Sequence, residues 1–228
     1  RNRPAVVSTQ PSRKSVTSTD RTSVTPRATA ACVRTFITEY GSTNPSVGQN
    51  DPPTMSSVRT IGAIAAIYRH HVLTGLASFE EVPPDAEEMA RRRAAVVEGG
   101  MPWLVAADAA GTVLGYAYAG PYRPRPGYRY TAEDSVYVAP EAIGRGVGRA
   151  LLGALVVRCE ALGFRQLVAV IGDSGNAASI GLHRALGFAQ VGLLPSVGFK
   201  FGRWVDGVLM QRALGPGATA LPDRPRPG

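Results

Sequence analysis

From residue 61 to residue 214 the apolar positions switch repeatedly between a helical and an alternating period, and each switch marks an element. Ile64, Ile67, Tyr68 and His71 recur at helical spacing and predict a helix over Ile61–Leu73. A second helix is predicted over Asp85–Val97, introduced by Pro83 and Pro84 and followed by Gly99 and Gly100. Trp103–Ala107 and Thr112–Ala119 are strand-like runs around a tight turn containing Asp108 and Gly111, the pattern of a hairpin. Tyr130–Val138 predicts a third strand. Gly144, Gly146 and Gly148 follow it, then a long helix over Arg149–Leu162 that stops at Gly163. A strand at Gln166–Ile171, a helix at Asn176–Leu186 ending on Gly187, and strands at Val191–Val197 and Arg203–Gln211 complete the series. This alternation implies an α/β fold built on one central sheet.

Residues 1–54 keep neither rhythm. They are rich in Ser, Thr, Pro and Arg, and are expected to form a disordered basic extension because they cannot bury enough surface to offset chain entropy. An organelle transit peptide is the alternative. Met55 then begins the folded domain, 55–214, and the Pro- and Gly-rich residues 215–228 form a flexible tail.

Composition narrows the classes. A chain of 228 residues with 44% apolar content can bury one substantial core. No run approaches the roughly 18 consecutive apolar residues of a membrane span, and the default compartment is the cytoplasm. Cys32 and Cys159 are too few for a disulfide framework and lack metal-ligand spacing to any histidine, so no metal is expected. Half of the net charge of +8 falls within residues 1–54, and the rest is spread over a chain three times as long. That is no basic stripe, and neither a nucleic-acid partner nor a membrane partner is expected.

The segment Ile143-Gly-Arg-Gly-Val-Gly148 lies between a predicted strand and a predicted helix. Backbone N–H groups and the positive end of a helix dipole converge there, and glycines let the backbone approach an anion closely. Arg145 and Arg149 add charge. Alone, such a string is as well read as a flexible turn. A Walker-type loop is excluded because no Gly-Lys-Ser/Thr follows. A dinucleotide fold is disfavoured because several strands precede the loop and no acidic residue ends the next strand.

Asp134-Ser-Val-Tyr-Val138, Gly144-Arg-Gly-Val-Gly148, Asn176 and His183-Arg-Ala-Leu-Gly-Phe188, in this order, resemble the GCN5-related N-acetyltransferase (GNAT) family. Within it, Pro102-Trp-Leu-Val105, Tyr116-Ala-Tyr-Ala-Gly-Pro121, Tyr130 to Val138, Val168-Ala-Val-Ile-Gly172 and Gly198-Phe-Lys200 are similar to the phosphinothricin acetyltransferase group. The resemblance spans roughly residues 55–214. It implies a single mixed, mostly antiparallel central sheet flanked by helices, and direct transfer of acetyl from acetyl-CoA to an amine such as that of phosphinothricin, methionine sulfone or methionine sulfoximine. Homodimers are common in the group. By the same resemblance, backbone groups of Val136, Tyr137 and Val138 meet the pantetheine arm and polarise the thioester carbonyl. Gly144, Arg145, Gly146, Val147, Gly148 and Arg149 hold the pyrophosphate, and Asn176 bonds the pantetheine, a role compatible with a helix cap. The family usually has Gln or Arg where this chain has Ile143, which removes one side-chain contact to the coenzyme. The span Val58–Ile64 is also short for the family's first strand and turn.

Acetyl transfer requires a neutral amine and a proton for the departing thiolate. The resemblance places the base at Glu133, otherwise a solvated residue at a strand start. His183 occupies the position where many relatives present a tyrosine to the sulfur; otherwise it is a structural histidine. His70 and His71 have no such support and are taken as packing or surface residues. Between Tyr122 and Tyr130, Arg123, Arg125 and Arg129 interleave with tyrosines on a segment that prolines keep extended. Arg125 and Tyr128, with Pro126 and Gly127, match the group's substrate positions; a guanidinium fork suits a carboxylate or phosphinate. Phe79 is either a pocket wall or core, and Cys159 a buried small residue. The rival functions are acetylation of another small amine or of a protein N-terminus, and coenzyme binding without useful activity.

Overall fold

The computed structural model describes residues 36–39 and 57–222. One sheet of seven strands organises them: β1 (Phe36–Glu39), β2 (Trp103–Ala107), β3 (Val113–Pro121), β4 (Thr131–Val138), β5 (Gln166–Gly172), β6 (Ala189–Lys200) and β7 (Arg203–Ala213), in the spatial order β1-β2-β3-β4-β5-β7-β6. Only β4 and β5 run parallel; every other pair is antiparallel. Four helices flank it: α1 (Ser57–Thr74), α2 (Ala86–Glu98), α3 (Val147–Ala161) and α4 (Ala177–Ala185). The predicted fold class holds. No helix among the described residues is long and apolar enough to cross a membrane.

β1 corrects one expectation. It lies within the segment expected to lack regular structure, and four of its residues pair with β2 from Phe36↔Ala107 to Glu39↔Leu104. Four residues are too few to register as a period, and their partner lies far along the chain. β1 also supplies the strand that the short Val58–Ile64 span could not hold. Glu39 accepts a hydrogen bond from Arg158 of α3 at 3.0 Å, which joins the strand to the helix layer. The other residues of 1–56, Cys32 among them, and residues 223–228 lie outside the described set.

Local chemistry explains the helices. Asp85 caps α2 by accepting from Glu88 N at 2.8 Å, and Glu87 and Glu88 sit in its positive first turn. α1 buries Ile64, Ile67, Tyr68 and Val72 on one stripe, and α3 buries Leu151, Leu152, Leu155, Val156 and Cys159. Asp108 shapes the β2–β3 turn by accepting from Ala110 N and Thr112 N, both at 2.9 Å.

Candidate active site

β4 pairs with β5 only from Thr131↔Gln166 to Asp134↔Ala169, yet pairs with β3 through Val138. From Ser135 to Val138 the edge of β4 that faces β5 therefore carries no strand. On this edge the backbone groups of Val136 and the Val138 N–H face the opening, while those of Tyr137 turn toward β3. His71 of α1 approaches Val138 O with Nε2 at 2.9 Å. Burial, acting against the bond to Val138, lowers the His71 pKa, so the ring is neutral at pH 7 and Nε2–H donates. His71 thus fixes the end of β4, a role beyond the packing or surface position expected for it.

The glycine segment follows directly. Gly144 and Gly146 take φ of 78° and 83°, a left-handed conformation that favours glycine, and a Cβ there would meet open space. Gly146 is the N-cap of α3 and makes no side-chain cap bond. The first amides of α3, at Val147, Gly148 and Arg149, lack intrahelical partners and collect at this end beside exposed Arg145 and Arg149. Val147 is buried and anchors the turn in the core, while Ile143 is 63% exposed. Asn176 caps α4, its Oδ1 accepting from Ser179 N at 3.1 Å, so its amide nitrogen is the end left for a ligand.

Side chains on β4 alternate between the two faces of the sheet. Glu133, Ser135 and Tyr137 point to the side of α1 and α2, where Tyr137 meets the ring of Tyr68 at 4.9 Å and Tyr118 bonds Ser135. Burial raises the Glu133 pKa, Asp134 adds to it, and Arg123 works against it. Asp134 points to the opposite face, where its Oδ1 lies 3.0 Å from Nε2 of His183 on α4. Glu133 and His183 are therefore on opposite faces of β4, adjacent to the place where β4 and β5 part. Asp134 is the residue that sequence reasoning missed. Alternation puts it behind its neighbour, and nothing local announces a partner 49 residues away.

The segment from Tyr122 to Tyr130 departs from the expected extended form. Pro126–Tyr128 makes one turn of 3-10 helix, for which the fixed φ of Pro126 suits the first position. Arg129 Nε donates back to Pro126 O at 2.7 Å. Arg123, Arg125, Pro126, Tyr128 and Arg129 line one cavity of about 440 Å³, closed by Glu98, Met101 and Phe164. Gly127 sits within the same turn.

Phe79 does not line that cavity. It is 40% exposed and lies against Gly198 of β6, so closely that a Cβ there would stand 2.4 Å from its ring. Its segment is pinned from three sides. Tyr68 Oη and Ser78 Oγ bond at 3.0 Å, Arg92 donates to Glu80 at 2.6 Å, and the buried Lys200 ammonium donates to Gly75 O at 3.0 Å and Ser78 O at 2.7 Å. Burial lowers the Lys200 pKa. Between α1, α2 and the sheet, Tyr68, Met89, Arg92, Trp103, Tyr116 and Tyr118 line a second cavity of about 310 Å³. Lys200 and the tyrosine wall gave no sequence signal beyond their place in resembling strings.

An anion cradle and an unpaired strand edge lie at the C-terminal end of β4, a burial-raised carboxylate lies nearer its start, and an arginine-lined cavity lies at its N-terminal end. The profile of the Acetyltransferase (GNAT) family matches residues 64–188. The chain is 64% identical over 161 residues to a phosphinothricin N-acetyltransferase from Alcaligenes faecalis, covering 71% of this chain and 81% of that one. It is 48% identical over 168 residues to an L-methionine sulfoximine/L-methionine sulfone acetyltransferase from Pseudomonas aeruginosa, covering 72% and 95%. Its structure is similar, with a TM-score of 0.73 and 44% identity, to a GNAT superfamily phosphinothricin acetyltransferase from Sinorhizobium meliloti solved in complex with AcCoA, covering 83% of this chain and 94% of that one. A family profile spanning more than half of the chain, together with relatives 64% and 48% identical to it, makes this protein a member of the GNAT acetyltransferase family.

Proposed function

We propose that the chain transfers the acetyl group of acetyl-CoA directly to the primary amine of a small anionic amino-acid-like molecule, of the class of phosphinothricin, methionine sulfone and methionine sulfoximine. The observation that carries this reading is the parting of β4 from β5 beyond Asp134, with Glu133 on one face of the opening and His183 on the other. The glycine cradle from Gly144 to Arg149 takes the pyrophosphate on backbone amides and two guanidinium groups. The free edge of Val136–Val138 pairs with the pantetheine arm and polarises the thioester carbonyl, and the Asn176 amide adds a bond.

The arginine-lined cavity receives the acidic groups of the acceptor, with Arg125 as the forked contact and Pro126, Gly127 and Tyr128 as its frame. Phe79, outside that cavity and against Gly198, meets the apolar part of the acceptor. Glu133 takes the proton from the amine, and its raised pKa matches it to that task better than a solvated carboxylate. The amine nitrogen forms the C–N bond, the C–S bond breaks with its electron pair on sulfur, and the thiolate takes a proton from His183.

Initial-velocity kinetics with acetyl-CoA and methionine sulfone test the direct route. Intersecting double-reciprocal lines are expected. Parallel lines, the pattern of a covalent acetyl-enzyme, would overturn it.

A homodimer is part of the same proposal. β6 is an edge strand and exposes Val191, Leu193, Leu194, Val197 and Phe199, with Trp204 beside it on β7, an apolar edge that a second copy would cover. Light scattering should give twice the chain mass, and a monomer at micromolar concentration would contradict it.

A further inference from the structure

Both nitrogens of His183 are engaged. Nδ1 lies 2.8 Å from the carbonyl oxygen of Ser179, and a carbonyl only accepts, so Nδ1 carries a proton. Nε2 lies 3.0 Å from Asp134 Oδ1, a contact that also requires a proton between the two atoms. The pair therefore holds one proton beyond that on Nδ1, whether it is written as imidazolium with carboxylate or as imidazole with carboxylic acid.

Burial favours retention of this proton. Asp134 and His183 are 6% and 4% exposed, and releasing the shared proton would leave a bare carboxylate in the core. Burial raises the Asp134 pKa against the bond from His183; for His183, burial acts downward and is outweighed by the bond and charge of Asp134 and by Ser179 O. The Asp134 Oδ2 atom is buried and has no partner. A carboxylate retained only to tie β4 to α4 would be expected to satisfy both oxygens.

Among the described residues, no other charge competes at the ring. Glu133 is on the opposite face of β4, and β5 has no titratable side chain. On α4, Arg184 is exposed, and Arg212 of β7 donates to Leu186 O. On α3, Arg149 and Glu160 are exposed, Arg158 is paired with Glu39, and the Cys159 thiol is buried. Lys200 of β6 is bonded to the Gly75 and Ser78 carbonyls. Phe188 packs perpendicular to the imidazole, centroids 5.0 Å apart.

We infer that Asp134 is a positioning residue of this acetyltransferase: it holds His183 in its proton-carrying form at the last rung where β4 and β5 pair, and so keeps a proton in place for the leaving thiolate. The inference rests on the role proposed for His183. In the transfer the amine proton passes to Glu133 and the shared proton passes to sulfur. Water then removes one proton from Glu133 and returns one to the Asp134–His183 pair, so the cycle balances.

The test combines an NMR titration of the His183 ring, assigned with His183→Gln, with pH profiles of kcat in wild type, Asp134→Asn and Asp134→Ser. Asn keeps the shape but turns an N–H toward Nε2, which favours the neutral ring; Ser removes the carboxylate without adding an amide. The wild-type ring should titrate above the ordinary value of about 6.5 and both variants below it. The alkaline limb of kcat should move down with it, with a fall of about 10-fold at pH 8, while acetyl-CoA affinity changes little and the variants, though lower-melting at pH 6, remain folded at the assay temperature. An unmoved ring midpoint overturns the inference, as does a lowered midpoint with an unmoved alkaline limb. If His183→Gln keeps wild-type kcat and pH profile, the proposed role of His183 is what has failed, and the inference falls with it. If His183→Gln loses activity while both Asp134 variants behave as wild type, only the inference falls.

Discussion

At Glu133 two neighbours pull in opposite directions: burial and the adjacent Asp134 carboxyl raise its pKa, and Arg123 restrains the rise. A base must be ionised to act, so the acidic limb of kcat/KM should lie above the ordinary Glu value of 4.5 and vanish in Glu133→Gln. That variant should lose about 10²-fold or more in kcat with acetyl-CoA affinity unchanged. Arg125→Ala should instead raise KM for an anionic acceptor and leave a neutral amine nearly unaffected, as steady-state comparison of the two substrates would reveal. The Asp134–His183 pair carries a stability consequence as well. The His183 pKa is raised in the folded state, so its share of the stabilisation is complete below about pH 6.5, the unfolded imidazole value, and is lost as pH rises through the higher folded one. Melting curves of His183→Gln and wild type should therefore differ most at pH 6 and converge on the alkaline side. Glu133 and His183 could be proposed from the sequence because each sits inside a resembling motif. Asp134 was not, because a buried partner across the sheet leaves no local trace in the chain.

Among the elements, those with an uninterrupted period were legible and those with interruptions were blurred. β2 was expected at the bounds it has, since every residue in it is buried and Pro102 and Asp108 flank its ends. β6 was expected over Val191–Val197 but runs over Ala189–Lys200. Its register shifts between Gln190 and Gly192 and between Leu194 and Gly198 break the alternation, and Asp206 secures the second irregularity by accepting from Ser196 N at 2.9 Å. That irregularity brings Gly198 under Phe79. Gly198→Ala should displace the Phe79 ring and raise KM for the acceptor while acetyl-CoA affinity stays within about twofold. The glycine cradle makes the complementary case. Gly146→Asp puts a side chain on a left-handed residue and a negative charge at the start of α3, so a calorimetric titration should show acetyl-CoA affinity falling sharply, by about 10-fold or more, in a protein that remains folded. Unchanged affinity would remove the phosphate-binding role from this loop.

At the scale of the molecule, β1 divides the upstream segment by consequence. Removing residues 1–35 leaves β1 and its pairing with β2 in place, and activity and melting temperature should be retained. Removing residues 1–54 also takes the β1–β2 ladder, the partly buried Ile37 and the Glu39–Arg158 bond, and should lower Tm by about 5–10 °C. Equal melting temperatures for the two truncations would show that β1 adds nothing to the fold. The global topology was legible because helical and alternating periods follow one another in the chain. The parting of β4 from β5 was not visible in any period, since both strands keep their alternation on either side of it. The central claim is that this opening transfers acetyl from acetyl-CoA to a small anionic amino acid. Thiol release by the purified chain, measured with acetyl-CoA against a panel of phosphinothricin, methionine sulfone, methionine sulfoximine, neutral amines and an N-terminal alanine peptide, tests it most directly. Rapid release with the first three, matched by an N-acetylated product in the mass spectrum and abolished in Glu133→Gln, is the predicted result. Stabilisation of the protein by acetyl-CoA with no thiol released by any of them would contradict it.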